Sequence, residues 1–303
     1  MNLQTIVYGV QVHYLYTGIV KNKTMRIITL ADNRTQSENL ETEHGLSLYI
    51  KTDSNHRILY DTGQSDLFMH NAEKLGVDLS EIDLVVISHG HYDHIGGLLA
   101  FLKTNKTAKV YLNSCIFDYE YYSLKKGIKK MNGFSSELME HRERFVLLEK
   151  NTSFDNLWFI TEIKHTYATP KGNAILYRQN KDVEELDKFS HELILVVGTS
   201  KGLCVFTGCG HNGVLNIAST VQTVIPLKQI QCLYGGFHLI DGNDFIETET
   251  TEELTNIARQ LINILPTTQF YTGHCTGEKA IKVLSEEMEG KLETFYVGKE
   301  VAI

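Results

Sequence analysis

The sequence predicts an α/β fold, and three observations carry that expectation. Short apolar runs of strand length, such as Arg57-Ile58-Leu59-Tyr60 and Leu203-Cys204-Val205-Phe206, recur along the chain and alternate with segments of helical length. In the last third one arrangement repeats three times: an apolar strand, a small-residue turn carrying a histidine, then a helix. The run Ile82 to Ile87 ends directly in Ser88-His89-Gly90-His91-Tyr92-Asp93-His94-Ile95-Gly96-Gly97, three histidines and an aspartate within six positions. With 303 residues, three prolines and no Gly/Ser-rich or Pro-rich linker, one domain over 25–303 is preferred to two small ones.

Residues 1–24 are aromatic-rich and lack a basic start followed by an apolar stretch, so they make a poor signal peptide. They are expected as an extension or over-called start, or equally as an added edge strand or dimerisation arm. Met25 opens the first strand. Leu46 to Ile50 and Arg57 to Tyr60 flank the polar turn Asp53-Ser54-Asn55 and predict a hairpin, closed by Asp61-Thr62-Gly63. Asp61 reads as a turn former or helix cap ahead of Ser65 to Leu75. The strand Ile82 to Ile87 follows. If it stays extended for one more step, His89 and His91 point to the same side. Gly96-Gly97 is expected to let the backbone bend before a helix opening at Leu98. Residues 115–150, with Phe117, Tyr119, Tyr121, Tyr122 and Phe134, read as an inserted lid whose aromatics mostly pack.

Strands at 157–160, 174–177 and 193–197 lead into the three repeats. These run Leu203 to Phe206 into Thr207-Gly208-Cys209-Gly210-His211, Gln231 to Tyr234 into Gly235-Gly236-Phe237-His238, and Gln269 to Tyr271 into Thr272-Gly273-His274-Cys275. Helices are expected at 251–264 and 279–288. Strand ends followed by helices converge on the ligand crevice of an α/β sheet. Imidazole and carboxylate together suit zinc, iron or manganese, so the expected cofactor is one or two divalent ions, zinc first.

Net charge is −8 and the lysines form only short clusters, which disfavours nucleic acid. Five cysteines without CxxC spacing argue against a disulfide framework and against a separate structural zinc site, and make a reducing cytoplasm the default. No apolar run reaches 18 residues, so no membrane partner is expected. A homo-oligomer stays open.

Ser88 to Gly97 resembles the HxHxDH signature of the metallo-β-lactamase fold superfamily. The resemblance implies a four-layer αβ/βα sandwich of two mixed sheets flanked by helices, with metal at their shared edge. TGCGHNG, GGFHL, TGHCTG and Glu43-His44-Gly45-Leu46-Ser47-Leu48-Tyr49-Ile50 are similar to its dihydropteroate-synthase-like branch, over about residues 25–300. That branch holds archaeal enzymes joining a dihydropterin-methyl diphosphate to a ribofuranosylaminobenzene phosphate, and bacterial metal-dependent hydrolases. The resemblance places His89, His91 and His211 on one metal, and Asp93, His94 and His274 on a second. Asp61 becomes a buttress of the metal loop. His238 becomes a general acid or, failing that, a ligand. His165 and His191 are ligand candidates better read as satisfied histidines. Cys209 departs from the family's usual bridging aspartate and is either a ligand or a buried neutral thiol, which weakens the two-metal expectation.

Two reactions fit these residues. In hydrolysis of an ester or phosphoester, Asp93 orients water and His238 protonates the leaving group. In transfer, a ring carbon or nitrogen of an arylamine acceptor attacks the methylene of an activated pterin and diphosphate departs. The expected partner is a small substrate, phosphorylated or pterin-like. A non-catalytic metal or ligand binder is the third reading, opposed by the intact histidines.

Overall fold

The computed structural model describes residues 24–242 and 246–303; of the expected N-terminal extension only Thr24 falls among them. The central strands are apolar on both faces, and successive residues are buried on opposite sides. Ile58 and Tyr60 join the cluster between the two sheets, while Leu59 joins the cluster beneath the helices. Leu84 and Val86 divide from Val85 in the same way. Strands of this kind need cover on both faces.

Two seven-stranded sheets supply the inner cover. The first runs in the order Glu300–Ala302, Arg26–Ala31, Ser47–Lys51, Arg57–Tyr60, Leu84–Val86, Lys109–Asn113, Phe145–Leu148. The second runs Leu292–Thr294, Gln269–Thr272, Ile230–Tyr234, Leu203–Phe206, Ile194–Gly198, Leu157–Ile160, Thr152–Phe154. Phe68, Ala72, Leu98 and Phe101, from the helices Leu67–Lys74 and Leu98–Thr104, close the outer face of the first sheet. Val214–Val224, Thr251–Ile264 and Glu278–Glu287 close the second. The result is the expected four-layer sandwich. The longest of these helices starts on a capping box in which Thr250 and Glu253 satisfy each other's backbone N–H.

The predicted hairpin is present, with Leu48 opposite Tyr60 and Asn55 at φ 76° in its turn. From Arg57–Tyr60 onward the first sheet is parallel, as is the second from Leu203–Phe206 onward. Parallel strands need crossover connections, so their carboxyl ends share one edge. The turns after Tyr60, Val86, Phe206, Tyr234 and Thr272 meet there.

The stretch 115–150 divides. Glu120–Lys125 and Ile128–Met131 form a hairpin turned at Lys126-Gly127, which extends Leu176–Asn180 and Val183–Leu186 into a separate four-stranded sheet. Phe145–Leu148 returns to the first sheet. Phe117 packs between Phe134 and Phe145, with ring centroids 5.3 and 5.6 Å away.

Candidate metal centre

The strand Leu84–Val86 delivers Ser88 onto Asp61, which sits at φ 56° with its carboxylate fully buried. Asp61 accepts from Ser88 N at 2.7 Å, from Ser88 Oγ at 2.6 Å and from His94 Nδ1 at 2.7 Å. Since Ser88 Oγ gives its proton to Asp61, it accepts from His89 Nδ1 at 2.9 Å. The helix cap is Asp66, so Asp61 serves the loop and not the helix. Gly96 and Gly97 both hold ordinary helical backbone angles, which corrects the expectation that they bend the chain. They are glycines because a Cβ would run into the carbonyl oxygens of Gln64 and Tyr92 at Gly96, and of Ser65 and Thr62 at Gly97.

Four histidines are held by Nδ1 with Nε2 directed inward. His89 leans on Ser88 and His94 on Asp61. His211 Nδ1 meets Asn173 Oδ1 at 2.9 Å, and His274 Nδ1 meets Asn33 Oδ1 at 3.2 Å. Such outer partners fix ring orientation in metal sites. His94 Nε2 lies 3.1 Å from both His274 Nε2 and Cys209 Sγ, and Asp93 Oδ2 lies 3.3 Å from His274 Nε2 and 3.6 Å from His94 Nε2. His89 Nε2 and His211 Nε2 are buried without a hydrogen-bond partner. Converging buried nitrogens left without a hydrogen-bond partner fit a divalent ion, because a metal supplies the partner the protein withholds.

The ligand atoms fall into groups: Asp93, His94, Cys209 and His274; His89, Cys209 and His211; Cys209, His238 and Cys275; His91, Asp187 and His191. The His91 ring stands 4.6 Å from that of His89 and 5.0 Å from that of His211, while its Nε2 is 3.9 Å from Asp187 Oδ2. His191 accepts from Gly90 N at 3.0 Å and donates from Nε2 to Asp187 at 3.0 Å, so both its nitrogens are engaged. His165 meets Asn212 Oδ1 instead. His238, at φ 50°, keeps both ring nitrogens unpartnered, with its ring 4.1 Å from that of His211.

Burial lowers the pKa of His89 and His211, and brings His91 down to about 3, so all three are neutral near pH 7 and free to ligate. Burial pushes the Asp93 carboxyl up, but His94, His274 and His44 together hold it well below the usual range. Burial likewise works against His274, yet Asp93, Cys275 and Asp32 carry it to about 9. A bound cation would reverse that last preference. The Cys209 thiol is pushed well up by burial and by Cys275.

Several contributors gave little warning in the sequence. His44 Nε2 lies 3.3 Å from Asp93 Oδ2, and its place in the Glu43-His44-Gly45 motif was the one available signal. Glu192 accepts from His211 N, Asn212 N and Asn212 Nδ2, which sets the His211 turn. The cluster lies in a cleft of about 350 Å³, also lined by Tyr92, Lys125, Lys130, Asn132, Ile240 and Asp241.

Known proteins resemble this chain in sequence and fold. The sequence profile of the Metallo-beta-lactamase superfamily matches residues 41–183. Tm1679, described as a metal-dependent hydrolase of the beta-lactamase superfamily, is 31% identical with a TM-score of 0.76, covering 92% of this chain and 99% of that one. The 7,8-dihydropterin-6-methyl-4-(beta-D-ribofuranosyl)-aminobenzene-5'-phosphate synthase of Methanocaldococcus jannaschii is 27% identical over 305 residues, covering 93% of this chain and 98% of the synthase. An uncharacterized protein of that archaeon is 26% identical over 284 residues, covering 90% and 98%. The four-layer fold, the histidine loop at the sheet edge and these similarities converge: the chain belongs to the metallo-beta-lactamase superfamily.

Proposed function

We propose that the protein is a metal-dependent hydrolase that cleaves an ester or phosphoester bond in a small phosphorylated molecule. The observation that carries this reading is the inward convergence of His94 and His274 Nε2 with Asp93 and Cys209, beside the unpartnered Nε2 atoms of His89 and His211. His89, His91 and His211 would hold one ion, and Asp93, His94, His274 and Cys209 a second. Zinc suits this mixed nitrogen, oxygen and sulfur set first, then iron or manganese. When bound, a divalent ion supplies Lewis acidity, making water nucleophilic near neutral pH and polarising the acceptor oxygen.

The chain's own residues do the rest. Asp93, kept ionised, accepts a proton of the attacking water and aims its lone pair. His238 faces the cleft without a partner and donates a proton to the leaving group. The hairpin 120–131 covers one side, where Lys125 and Lys130 meet anionic groups. The net charge of −8 opposes a nucleic-acid substrate. Among the described residues no helix is long and apolar enough to cross a membrane. Five unpaired cysteines support a reducing, cytoplasmic setting.

The test is turnover of phosphodiester, thioester and lactone substrates with and without chelator, alongside elemental analysis. Chelator-sensitive turnover is expected; a metal-free protein as active and stable as its His91→Ala variant would end this reading. The similarity to the archaeal synthase along 98% of its length favours a second reading, transfer from a dihydropterin-methyl diphosphate. A large rise in thermal stability on adding that compound supports transfer. No rise, with clear turnover of a simple ester, removes it.

A further inference from the structure

We propose that a second cavity, separate from the metal cleft, is a ligand site that takes a small molecule with a flat apolar body and a cationic N–H donor. The inference stands apart from the metal-dependent reading above, because none of the groups that carry it is a candidate metal ligand. The cavity holds about 180 Å³, more than the roughly 150 Å³ that admits a benzene ring. Buried Val214, Leu215, Phe237 and Leu239 give it an apolar side. Exposed Thr169 and Asn256 also line it, so it opens to solvent. No residue lines both this cavity and the metal cleft, although the two share a wall: along 237–240, Phe237 and Leu239 face the cavity while His238 and Ile240 face the cleft.

Glu249 supplies the polar end. It lines the cavity and is 6% exposed. Its Oε1 accepts from Lys171 N at 2.8 Å, and its backbone carbonyl accepts from Lys279 Nζ at 2.6 Å, so the residue is held in place. Its Oε2 is buried with no hydrogen-bond partner. The Lys171 ammonium, on the same lining, is held 2.9 Å from Glu247 and from Glu253 instead. A buried carboxylate oxygen left bare is costly until something donates to it. A ligand N–H carried on an apolar body answers both the oxygen and the wall. A cationic donor makes the stronger bond, and Glu249 with Glu253 on the lining opposes an anionic one.

Titration of the full chain with benzamidine tests this, followed by NMR of the isoleucine, leucine and valine methyl groups. One molecule per chain is expected, moving the methyl signals of Leu215, Leu239 and Ile257. Glu249→Gln should weaken benzamidine by about 10- to 100-fold, the worth of a hydrogen bond to a charged group, and leave unchanged the weaker binding of toluene, which has the body without the donor. Ile257→Trp, at a partly exposed wall position, should fill the cavity and exclude both probes. Asp93→Asn, in the metal cleft, should leave benzamidine affinity as it is. Thermal unfolding shows that each variant is folded. Shifts confined to the Ile175 and Ile240 methyl groups of the metal cleft, equal benzamidine affinity in Glu249→Gln and the parent, or no shift at all would overturn the site. Benzamidine bound here in a chain that turns over no substrate would leave the site standing and overturn the hydrolase reading alone.

Discussion

At the scale of single residues, the centre depends on groups that touch no substrate. Asp61 is an acceptor with three donors on it, two from Ser88 and one from His94. Asp61→Asn must turn an N–H toward at least one of these donors. Metal affinity is expected to fall by about 10- to 100-fold, with about 1–3 kcal/mol lost from the metal-free protein. Isothermal titration with zinc and chemical unfolding measure the two effects separately. Protonation gives a second expectation. His91 is lowered from 6.5 to about 3, and His89 and His211 are lowered too. A histidine whose folded pKa is depressed binds its proton more readily when unfolded, so its stabilising share is present above about 6.5. Stability of the metal-free chain should therefore fall progressively from pH 6.5 toward 3, and metal affinity with it. Unfolding midpoints across that range, sloping less steeply in the His91→Gln variant than in the parent, would attribute that share of the effect to His91, the rest being left to His89 and His211.

At the scale of elements, the legible parts were those with period-two apolar patterning or a local motif. Ile58-Leu59-Tyr60 and Leu203 to Phe206 announce strands because both faces are buried, and Thr251 to Ile264 announces a helix from its capping pair onward. Ile128-Lys129-Lys130-Met131 gives no such signal: all four residues are exposed, and their hairpin is held by Leu176–Asn180, some 50 positions away in sequence. The Gly96-Gly97 pair was legible as a requirement but not in its cause, because the crowding comes from the separate 62–65 turn. Gly97→Ala should cost about 1–3 kcal/mol by overpacking and also reduce bound metal. Gly127→Ala, in open space at φ 73°, should cost about 1–2 kcal/mol from backbone strain alone and leave metal content unchanged. Lys125 and Lys130 line the cleft from this hairpin. Replacing both with alanine should raise KM for a phosphorylated substrate about 10-fold or more, and leave KM for a neutral ester unchanged. Equal effects on both would make the hairpin a cover without charge selectivity.

At the scale of the whole molecule, the candidate ligands come from opposite halves of the sandwich. His89, His91, Asp93 and His94 follow a strand of the first sheet, while Cys209, His211 and His274 follow strands of the second. The sequence could announce each turn, because each is a local strand end with histidine. It could not announce Asn33 behind His274 or Asn173 behind His211, since partners 241 and 38 positions apart leave no pattern. A metal bound across this seam ties the two sheets and is lost when they separate, so it acts on global stability. An ion held at a thousand times its Kd adds about 4 kcal/mol, which in a chain of this size raises Tm by roughly 6 °C. Scanning calorimetry at fixed free zinc, with and without chelator, should show that increment in the parent. In His274→Ala, which removes a candidate ligand on the second sheet, the increment should shrink when it is measured against that variant's own metal-free Tm, which falls because buried Asp93 loses a partner. A zinc increment that stays whole in His274→Ala would mean that the first half alone holds the ion, and that the seam is closed by its apolar core without help from metal.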